Sequence, residues 1–297
     1  MSWSFEEILG AVAGEAPRVV WDGTGVLMSL PVAKKIVRFD PERGTTAEFR
    51  RHTGGVTGLA VAPDGTVYGC QSPSRRIVRF NRDGTTSPLE YRLDGRLHNF
   101  PKDADVDSQG RVWFSDALDD VTSPGPNVFP LLDHASVLRL DRRPSGEWRL
   151  RRMTFDTKAP DAVLVSSDGS TLYVSENHPS VDGCRELRAY PVRDDGLGGY
   201  EVLHVFGADH RVHPGASGMC LDAEGNIVAA AGSPATGPGA LLYVFAPTGR
   251  VLETVPTPAR PVAVSFGDAD LTALYVTTID GSLFRVRDSG YRGFARA

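Results

Sequence analysis

The stretch "LAVAPDGTVYGC" (residues 59–70) contains an apolar strand, an Asp-Gly turn and a second apolar strand, which is the pattern of a β-hairpin. Five further stretches follow the same plan: "VVWDGTGVLMS" (19–29), "ADVDSQGRVWFS" (104–115), "VLVSSDGSTLYVS" (163–175), "MCLDAEGNIVAA" (219–230) and "VSFGDADLTALYVTT" (264–278). The copies recur about every 40 to 60 residues, a spacing typical of propeller blades. The repeat therefore decides the fold class.

A third strand follows most copies, as in "KIVRFD", "RIVRFN" and "SVLRLD", and a more variable strand closes several of them. Four strands in each of six units predict an all-β fold, a six-bladed β-propeller with four-stranded antiparallel blades. We expect residues 1–297 to form a single domain. Only "SFEEILGAV" (4–12) has a weak helical pattern, and the Pro- and Gly-rich segment 119–134 is interpreted as an insertion that could act as a lid.

The composition indicates which kinds of binding partner and which cellular compartment to expect. An apolar fraction of 41% and a charged fraction of 23% are ordinary for a soluble protein, and the net charge of −5 comes with no basic cluster of the kind that nucleic acid requires. Three cysteines in no paired motif favour reduced thiols. No secretion signal or membrane-length apolar run is evident, so a cytoplasmic location with no membrane partner is expected. The sequence does not indicate the oligomeric state.

Loops that enter the innermost strands of a propeller converge at one end of its central tunnel, where ligands bind. The repeat assigns to these loops Glu15, Pro17, Thr57, Lys102, Asp103, Asp161, Ser217 and Ala263. The loops after each second strand reach the same end and add Gln71, Asp116, Glu176, Asn177, His178 and Ser233. Polar groups that converge above an apolar barrel are costly unless they meet each other or a ligand, so a functional site is predicted here.

Lys102 stands out in the loop "HNFPKD" (98–103), because the chain has four lysines against 28 arginines, a usage that suggests a bacterial genome of high GC content. His98, next to Asn99 in the same loop, could face the pocket or lie on the surface, and both residues are candidates for substrate binding. Arg75 and Arg76 lie where other copies also carry polar residues, so both are expected to be solvated.

The chain resembles the senescence-marker-protein/gluconolactonase/luciferin-regenerating-enzyme family of six-bladed propellers, from about Glu15 to Val286. The resemblance is carried best by "GMCLDAEGNIVAAAG", "GALLYVFAPTGRVLET" and "SSDGSTLYVSE". It implies a metal-dependent hydrolase of lactones or related esters. It also implies one divalent cation, often calcium, held at the tunnel mouth by a Glu, two Asn and an Asp.

The positions that the resemblance marks as metal ligands are altered here. Glu15 heads "EAPRVVWD", but two extra residues precede the tryptophan of the family's "EGPxWD", and alignment on that tryptophan places Pro17 at the ligand position. Lys102 in "FPKD" replaces the Asn of "SPND", and Asp161 in "PDA" replaces the Asn of "PNG". Ser217 in "SGM" replaces the Asp of "DGM", which the family uses as a ligand and probable base.

These changes predict that the metal site is lost. Calcium requires six to eight oxygen ligands, whereas Lys102 places a positive charge at a ligand position. We therefore predict no cofactor and expect Lys102 to pair with Asp161. If the prediction is wrong, calcium is the expected cofactor, with Glu15 and Asp161 as its ligands.

Two functions remain open from the sequence. The first is a metal-independent enzyme in which Lys102 is the electrophile or a reactive amine, Asp161 is the acid, base or orienting group, and Ser217 and His178 supply hydrogen bonds. Its reaction on a small-molecule substrate is lactone or ester hydrolysis, or a cyclisation, isomerisation or lyase step in small-molecule biosynthesis. The residues expected to bind the substrate are His98, Asn99, Thr57, Gln71, Asp116 and Glu176.

The second function is a non-catalytic ligand-binding propeller. In it, the pair of Lys102 and Asp161 is only a salt bridge that takes the place of the metal. Asp103 is expected to be structural under both functions, because a residue beside a strand entry often caps loop amides.

Overall fold

The computed structural model describes residues 3–118, 129–180, 183–207 and 213–295. Within them, six four-stranded antiparallel sheets surround a central tunnel, which confirms the predicted six-bladed propeller. One additional two-stranded sheet lies between the second and third blades in the chain. Among the described residues, no helix is long and apolar enough to cross a membrane.

Five blades are built from four consecutive strands, numbered from the tunnel outward. Blade 1 contains β2 (Val19–Trp21), β3 (Val26–Leu30), β4 (Lys35–Asp40) and β5 (Thr45–Arg50). Blade 2 contains β6 (Val56–Val61), β7 (Val67–Gln71), β8 (Arg76–Phe80) and β9 (Thr86–Pro88), with a 3-10 turn at Ser72–Ser74, and is followed by the small hairpin of β10 (Arg92–Leu93) and β11 (Arg96–Leu97). Blade 3 contains β12 (Phe100–Val106), β13 (Val112–Ala117), β14 (Ser136–Arg142) and β15 (Trp148–Arg152). Blade 4 contains β16 (Pro160–Val165), β17 (Thr171–Asn177), β18 (Arg185–Pro191) and β19 (Glu201–Val205). Blade 5 contains β20 (Gly218–Leu221), β21 (Ile227–Ser233), β22 (Thr236–Phe245) and β23 (Val251–Pro256).

The sixth blade joins the two ends of the chain. It contains β24 (Pro261–Gly267), β25 (Ala273–Thr278) and β26 (Leu283–Val286), and its outermost strand is β1 (Glu6–Leu9) from the N-terminal part of the chain. Glu6 pairs with Arg285 across the β1–β26 ladder. The helical pattern expected for "SFEEILGAV" is therefore wrong, because pairing with β26 determines the conformation of this segment.

The hydrophobic core is divided into six clusters, one between each pair of adjacent blades in the described chain. Leu27 and Ile36 of blade 1 pack against Val56 and Val78 of blade 2, for example. Burial of such side chains contributes about 1.5–3 kcal/mol each, so every blade is stabilised from both sides.

The innermost strands of four blades begin with a β-bulge at the same end of the tunnel. Their pairing with the second strand shifts between Val56 and Leu59, Pro101 and Ala104, Pro160 and Ala162, and Pro261 and Ala263. A bulge takes a residue out of the ladder and redirects its side chain. Thr57, Lys102, Asp103 and Asp161 all lie inside these bulges, which is how the fold brings them to the tunnel mouth.

Gly58 allows two of these bulges to approach each other. A Cβ atom at Gly58 would lie 2.5 Å from the carbonyl oxygen of Lys102 and 2.8 Å from the Cα atom of Asp103. Since both neighbours are backbone atoms, Gly58→Ala should lower the free energy of unfolding by about 1–3 kcal/mol, as expected for overpacking. Urea denaturation will measure the change. Gly199→Ala is the control, because nothing lies within 4 Å of a Cβ there. Equal stability of the two variants would contradict the prediction.

Candidate functional site at the tunnel mouth

Arg18 directly precedes the innermost strand of blade 1, and its side chain lies among the polar groups at the mouth. Its Nη1 donates a hydrogen bond to the Ser217 carbonyl oxygen of blade 5. Its Nη2 lies 3.4 Å from Asp161 Oδ1 in blade 4, and its Nη1 lies 4.0 Å from Asp103 Oδ1 in blade 3. The Arg18 side chain is only 10% exposed. One guanidinium thus connects four of the six blades.

The Asp161 carboxylate is surrounded by donors and positive charge. Its Oδ2 accepts a hydrogen bond of 2.9 Å from Asn177 Nδ2. Burial has the largest single effect and raises the pKa of Asp161, whereas the charges of Lys102 and Arg18 lower it. Hydrogen bonds from Asn177 and Ser217 lower this pKa further. The net result is a pKa below the ordinary value, so Asp161 stays ionised at neutral pH.

Asn177 also positions the loop of blade 5. Its Oδ1 accepts the Gly215 N–H at 2.9 Å while its amide group donates to Asp161. This side chain therefore orients the carboxylate and the neighbouring loop together.

Lys102 and Asp161 come from adjacent blades, as the repeat predicted, but they do not form the expected direct pair. Within the described residues, the ion pair that Asp161 makes inside 4.0 Å is with Arg18. Lys102 acts on Asp161 as the strongest of the nearby charges. The Lys102 side chain is half-buried, and its carbonyl accepts a hydrogen bond of 3.2 Å from Thr57 Oγ1. The backbone of Lys102 is therefore fixed at the mouth.

The pKa of Asp103 is shifted in the opposite direction to that of Asp161. Burial raises its pKa to about 7, and the repulsion of Asp161 and Asp105 adds to this, although Arg18 and the Val163 N–H lower it. The Val163 N–H donates to Asp103 Oδ2 at 3.3 Å. Asp103 thus links the innermost strands of blades 3 and 4, in agreement with the structural role expected for it.

A cavity of about 350 Å³ extends along the tunnel below Arg18 and Asp103. Most of the residues that line it have apolar side chains, and Phe294 and Ala295 from the C-terminal segment line it at the opposite end. Phe294 is held there by a 3.1 Å hydrogen bond from its N–H to the Leu221 carbonyl. Arg18 therefore borders both this cavity and the polar groups at the mouth.

Hydroxyl groups at the ends of second strands join neighbouring blades around the mouth. Ser29 accepts the Arg18 N–H at 3.0 Å and donates to the Thr57 carbonyl at 2.9 Å. Ser115 makes the same contacts from blade 3, accepting the Asp103 N–H at 3.1 Å and donating to the Asp161 carbonyl at 2.9 Å. These serines fix the spacing of the site residues.

Of the six predicted substrate-binding residues, Gln71, Asp116 and Glu176 hold the loops that lead into the innermost strands. Gln71 Nε2 donates to the Thr53 carbonyl at 2.6 Å. Asp116 Oδ2 accepts the Asn99 N–H at 2.7 Å, and Glu176 Oε2 accepts the Lys158 and Ala159 N–H groups at 3.0 and 2.9 Å. All three are buried, and burial raises the pKa of Glu176. Their contact with a substrate stays a prediction.

His98 and Asn99, also predicted to bind substrate, are fully buried in the same loop of blade 3. His98 Nδ1 lies 3.0 Å from Asp116 Oδ1. Asn99 Oδ1 accepts the Leu132 N–H at 2.8 Å, and its Nδ2 donates to the His134 carbonyl at 3.1 Å. These contacts attach the end of the predicted insertion to the blade.

Arg75 reinforces that attachment, and the expectation that it is solvated is wrong, since it is 8% exposed. Its guanidinium donates to the His98 carbonyl at 2.8 Å and to the Phe129 carbonyl at 2.8 Å. Residues 119–128 of the segment predicted as a lid lie outside the described residues, so the lid stays a prediction.

The remaining predicted residues differ in their closeness to Asp161. Ser217 is near enough to lower the pKa of Asp161, and Thr57 Oγ1 lies 3.0 Å from Ser72 Oγ on the blade 2 side of the mouth. His178 follows β17 and is half-buried, with Nδ1 accepting the Ser180 N–H at 3.2 Å. The roles proposed for Ser217, Thr57 and His178 in catalysis or binding stay predictions.

Arg18 was missed by reasoning from the sequence. The signal was present in "EAPRVVWD", where two extra residues shift the chain before Trp21 and place an arginine directly before β2. Only the structure shows that its side chain reaches across to three other blades.

The residues at the mouth do not fit a divalent cation. Both oxygens of Glu15 accept backbone N–H groups, from Val32 at 3.0 Å and Ala33 at 2.7 Å. Asp161 faces the guanidinium of Arg18, and Lys102 adds a second positive charge. Among the described residues, no group of three or more His, Cys, Asp or Glu side chains has metal-binding geometry. A metal ion beside Asp161 would therefore lie next to the positive charges of Arg18 and Lys102, which repel it.

The sequence profile of the SMP-30/Gluconolactonase/LRE-like family matches residues 14–280, which is most of the chain. The chain belongs to this family. Gluconolactonase from Zymomonas mobilis is 26% identical over 281 residues, covering 87% of this chain and 74% of that relative. A gluconolactonase structure from Xanthomonas campestris has a TM-score of 0.80 at 26% identity, covering 96% of this chain and 89% of that one. Regucalcin from Agrobacterium tumefaciens, a calcium-binding protein, has a TM-score of 0.73 at 16% identity, covers 99% and 96% of the two chains, and shows the shared fold alone.

The two carboxylates at the mouth predict different effects of pH on stability. The pKa of Asp103 is about 7 in the folded protein against an ordinary 3.8, so the folded state keeps a proton that the unfolded chain has lost. The stability from this group is complete below pH 3.8 and is lost as the pH rises through 7. In Asp103→Asn, which stays neutral, the free energy of unfolding relative to wild type should therefore increase between pH 5 and pH 8.

Asp161→Asn is the control, measured by urea denaturation at the same two pH values. Because the pKa of Asp161 is lowered on folding, its carboxylate stabilises the folded state at every pH above the ordinary value of 3.8. This contribution is lost only when acid protonates the carboxylate. Asp161→Asn should therefore be less stable than wild type at both pH values, and the difference should change less with pH than for Asp103→Asn, because Asp161 accounts for only part of the raised pKa of Asp103. A constant difference between wild type and Asp103→Asn would contradict the assignment for Asp103.

Proposed function

We propose that this chain is a lactone or ester hydrolase that acts on a small molecule at the tunnel mouth without a divalent metal. The observation that carries the proposal is the ionised Asp161 carboxylate in a bulge beside the positive charge of Lys102. Membership of the family and the two gluconolactonase relatives support a hydrolase of this class.

The proposed roles follow from the charges. Asp161 accepts a proton from a water molecule as the water oxygen attacks the carbonyl carbon of the substrate. The ammonium of Lys102 stabilises the negative charge that develops on the carbonyl oxygen, which is the task of an electrophilic metal in related chemistry. When the tetrahedral intermediate collapses, the bond to the alkoxy oxygen breaks, and Asp161 returns the proton to that oxygen.

Asn177 and Arg18 support these roles by holding the carboxylate in place. Asn177 contacts Asp161 from the same blade, and Arg18 contacts it from blade 1. The orientation of the carboxylate is therefore set before a substrate arrives. Such preorganisation is a main source of catalytic rate enhancement. The Ser217 hydroxyl next to Asp161 is then positioned to contact the substrate, with His178 farther along the rim.

The alternative is a ligand-binding propeller without catalysis. It is favoured by the number of groups already bonded to Asp161, since a carboxylate satisfied by the protein has less capacity to bind water. Loss of activity in a variant of Asp161 separates the two functions.

The test is hydrolysis of glucono-δ-lactone and a panel of lactones and esters by protein stripped with a chelator, followed with a pH indicator. Lys102→Ala and Asp161→Asn should each lower kcat/KM by about 10²–10⁴-fold, the range for loss of an electrophile or a general base. Lys35→Ala, on the third strand of blade 1, is the control and should retain wild-type activity.

Activity that appears only after a divalent metal is added would contradict metal independence. Wild-type rates in Lys102→Ala and Asp161→Asn would contradict the assigned roles. Binding of a panel compound by wild type without turnover would support the ligand-binding alternative.

A further inference from the structure

Three oxygen atoms from three different blades converge on the guanidinium of Arg18. They are the carbonyl oxygen of Ser217, Oδ1 of Asp161 at 3.4 Å and Oδ1 of Asp103 at 4.0 Å. Two of them belong to carboxyl groups whose negative charges oppose each other, and the pKa of Asp103 is raised in part by Asp161. A positive charge at this point offsets that repulsion.

The backbone of Arg18 fixes where the side chain starts. Its N–H donates to the Ser29 hydroxyl at 3.0 Å, and its carbonyl accepts the Ser29 N–H at 2.9 Å. Because Ser29 also donates to the Thr57 carbonyl, blades 1 and 2 are joined at the same level. The guanidinium then joins blade 1 to blades 3, 4 and 5 across the tunnel.

We propose that Arg18 is a covalently attached replacement for a divalent cation, and that the oxygens around it form a hard-cation site that its guanidinium now fills. The structure thereby assigns Arg18 as a positioning residue, since its charge orients Asp161 and Asp103 and links the blades. The same oxygens should bind calcium when the guanidinium is removed, because carboxylate and carbonyl oxygens are calcium ligands.

Lys102 sets a limit on the affinity of that site. Its positive charge favours the ionised form of Asp161 and would repel any cation bound beside it. Removal of Arg18 alone should therefore create a weak calcium site, and removal of both side chains should create a stronger one. This order of affinities is specific to the proposal.

The experiment is calorimetric titration of calcium chloride into chelator-stripped wild type, Arg18→Ala and Arg18→Ala/Lys102→Ala, with melting temperatures recorded with and without calcium. Arg285→Ala is the matched control. Arg285 is equally buried and pairs with Asp268, but this pair lies in blade 6 away from the mouth. Both single variants should melt at a lower temperature than wild type.

Calcium should raise the melting temperature of Arg18→Ala and release binding heat, and should do neither in wild type or Arg285→Ala. In Arg18→Ala, the additional substitution Asp161→Asn should abolish both the calcium binding and the rise in melting temperature. Arg18→Ala/Lys102→Ala should bind calcium at least tenfold more tightly than Arg18→Ala. The inference does not depend on the proposed reaction, because binding and melting are read in place of turnover.

Guanidinium at low millimolar concentration is a second probe. It should raise the melting temperature of Arg18→Ala and leave that of Arg285→Ala unchanged. If Arg18→Ala folds only when calcium or guanidinium is added, the proposal is supported. It would be overturned if wild type bound calcium through Asp161, if folded Arg18→Ala bound no calcium, or if neither cation restored folding.

Discussion

Closure of the ring is the constraint on which the rest of this structure depends. Each hydrophobic cluster is shared by two neighbouring blades, so no blade has a complete core by itself. The ring is completed by β1, whose pairing with β26 joins the beginning of the chain to its last blade. Antiparallel blades arranged in this way leave only short sheet edges exposed. A rigid ring then allows loops distant in the sequence to meet at one point with fixed distances.

The pKa values of the two carboxyl groups at the tunnel mouth depend on how closely each one is paired with a positive charge. Asp161 is held by Arg18, Asn177 and the more distant charge of Lys102, and it is ionised. Asp103 is nearby, yet burial makes it a much weaker acid. Two carboxyl groups within reach of one guanidinium thus have pKa values shifted in opposite directions, which is the common result when buried acids share limited positive charge.

The repeat in the sequence was enough to predict the number of blades, the strand order within them and the set of loops at the mouth. These features are local, since each depends on an Asp/Gly turn between two apolar runs. The position of Asp161 next to the charge of Lys102 was also accessible, because both occupy equivalent positions in neighbouring copies. What failed depends on contacts between distant parts of the chain. The strand character of β1 is decided by β26, and the burial of Arg75 is decided by carbonyl groups such as that of Phe129. Arg18 is the clearest case, since no local pattern shows that a side chain spans the tunnel.

The bulges at the starts of the innermost strands also bear on how such a protein evolves. A residue inside a bulge is outside the regular ladder, so its side chain can change without loss of a strand-pairing hydrogen bond. Lys102 and Asp161 occupy such places, while the apolar residues that stabilise the blades lie deeper in the strands. The charge of the mouth therefore depends largely on residues in the bulges, whereas the hydrophobic clusters that join the blades come from the regular parts of the strands. A few substitutions inside the bulges can therefore change the charge of the mouth while the strand pairing and the hydrophobic clusters of the ring are kept.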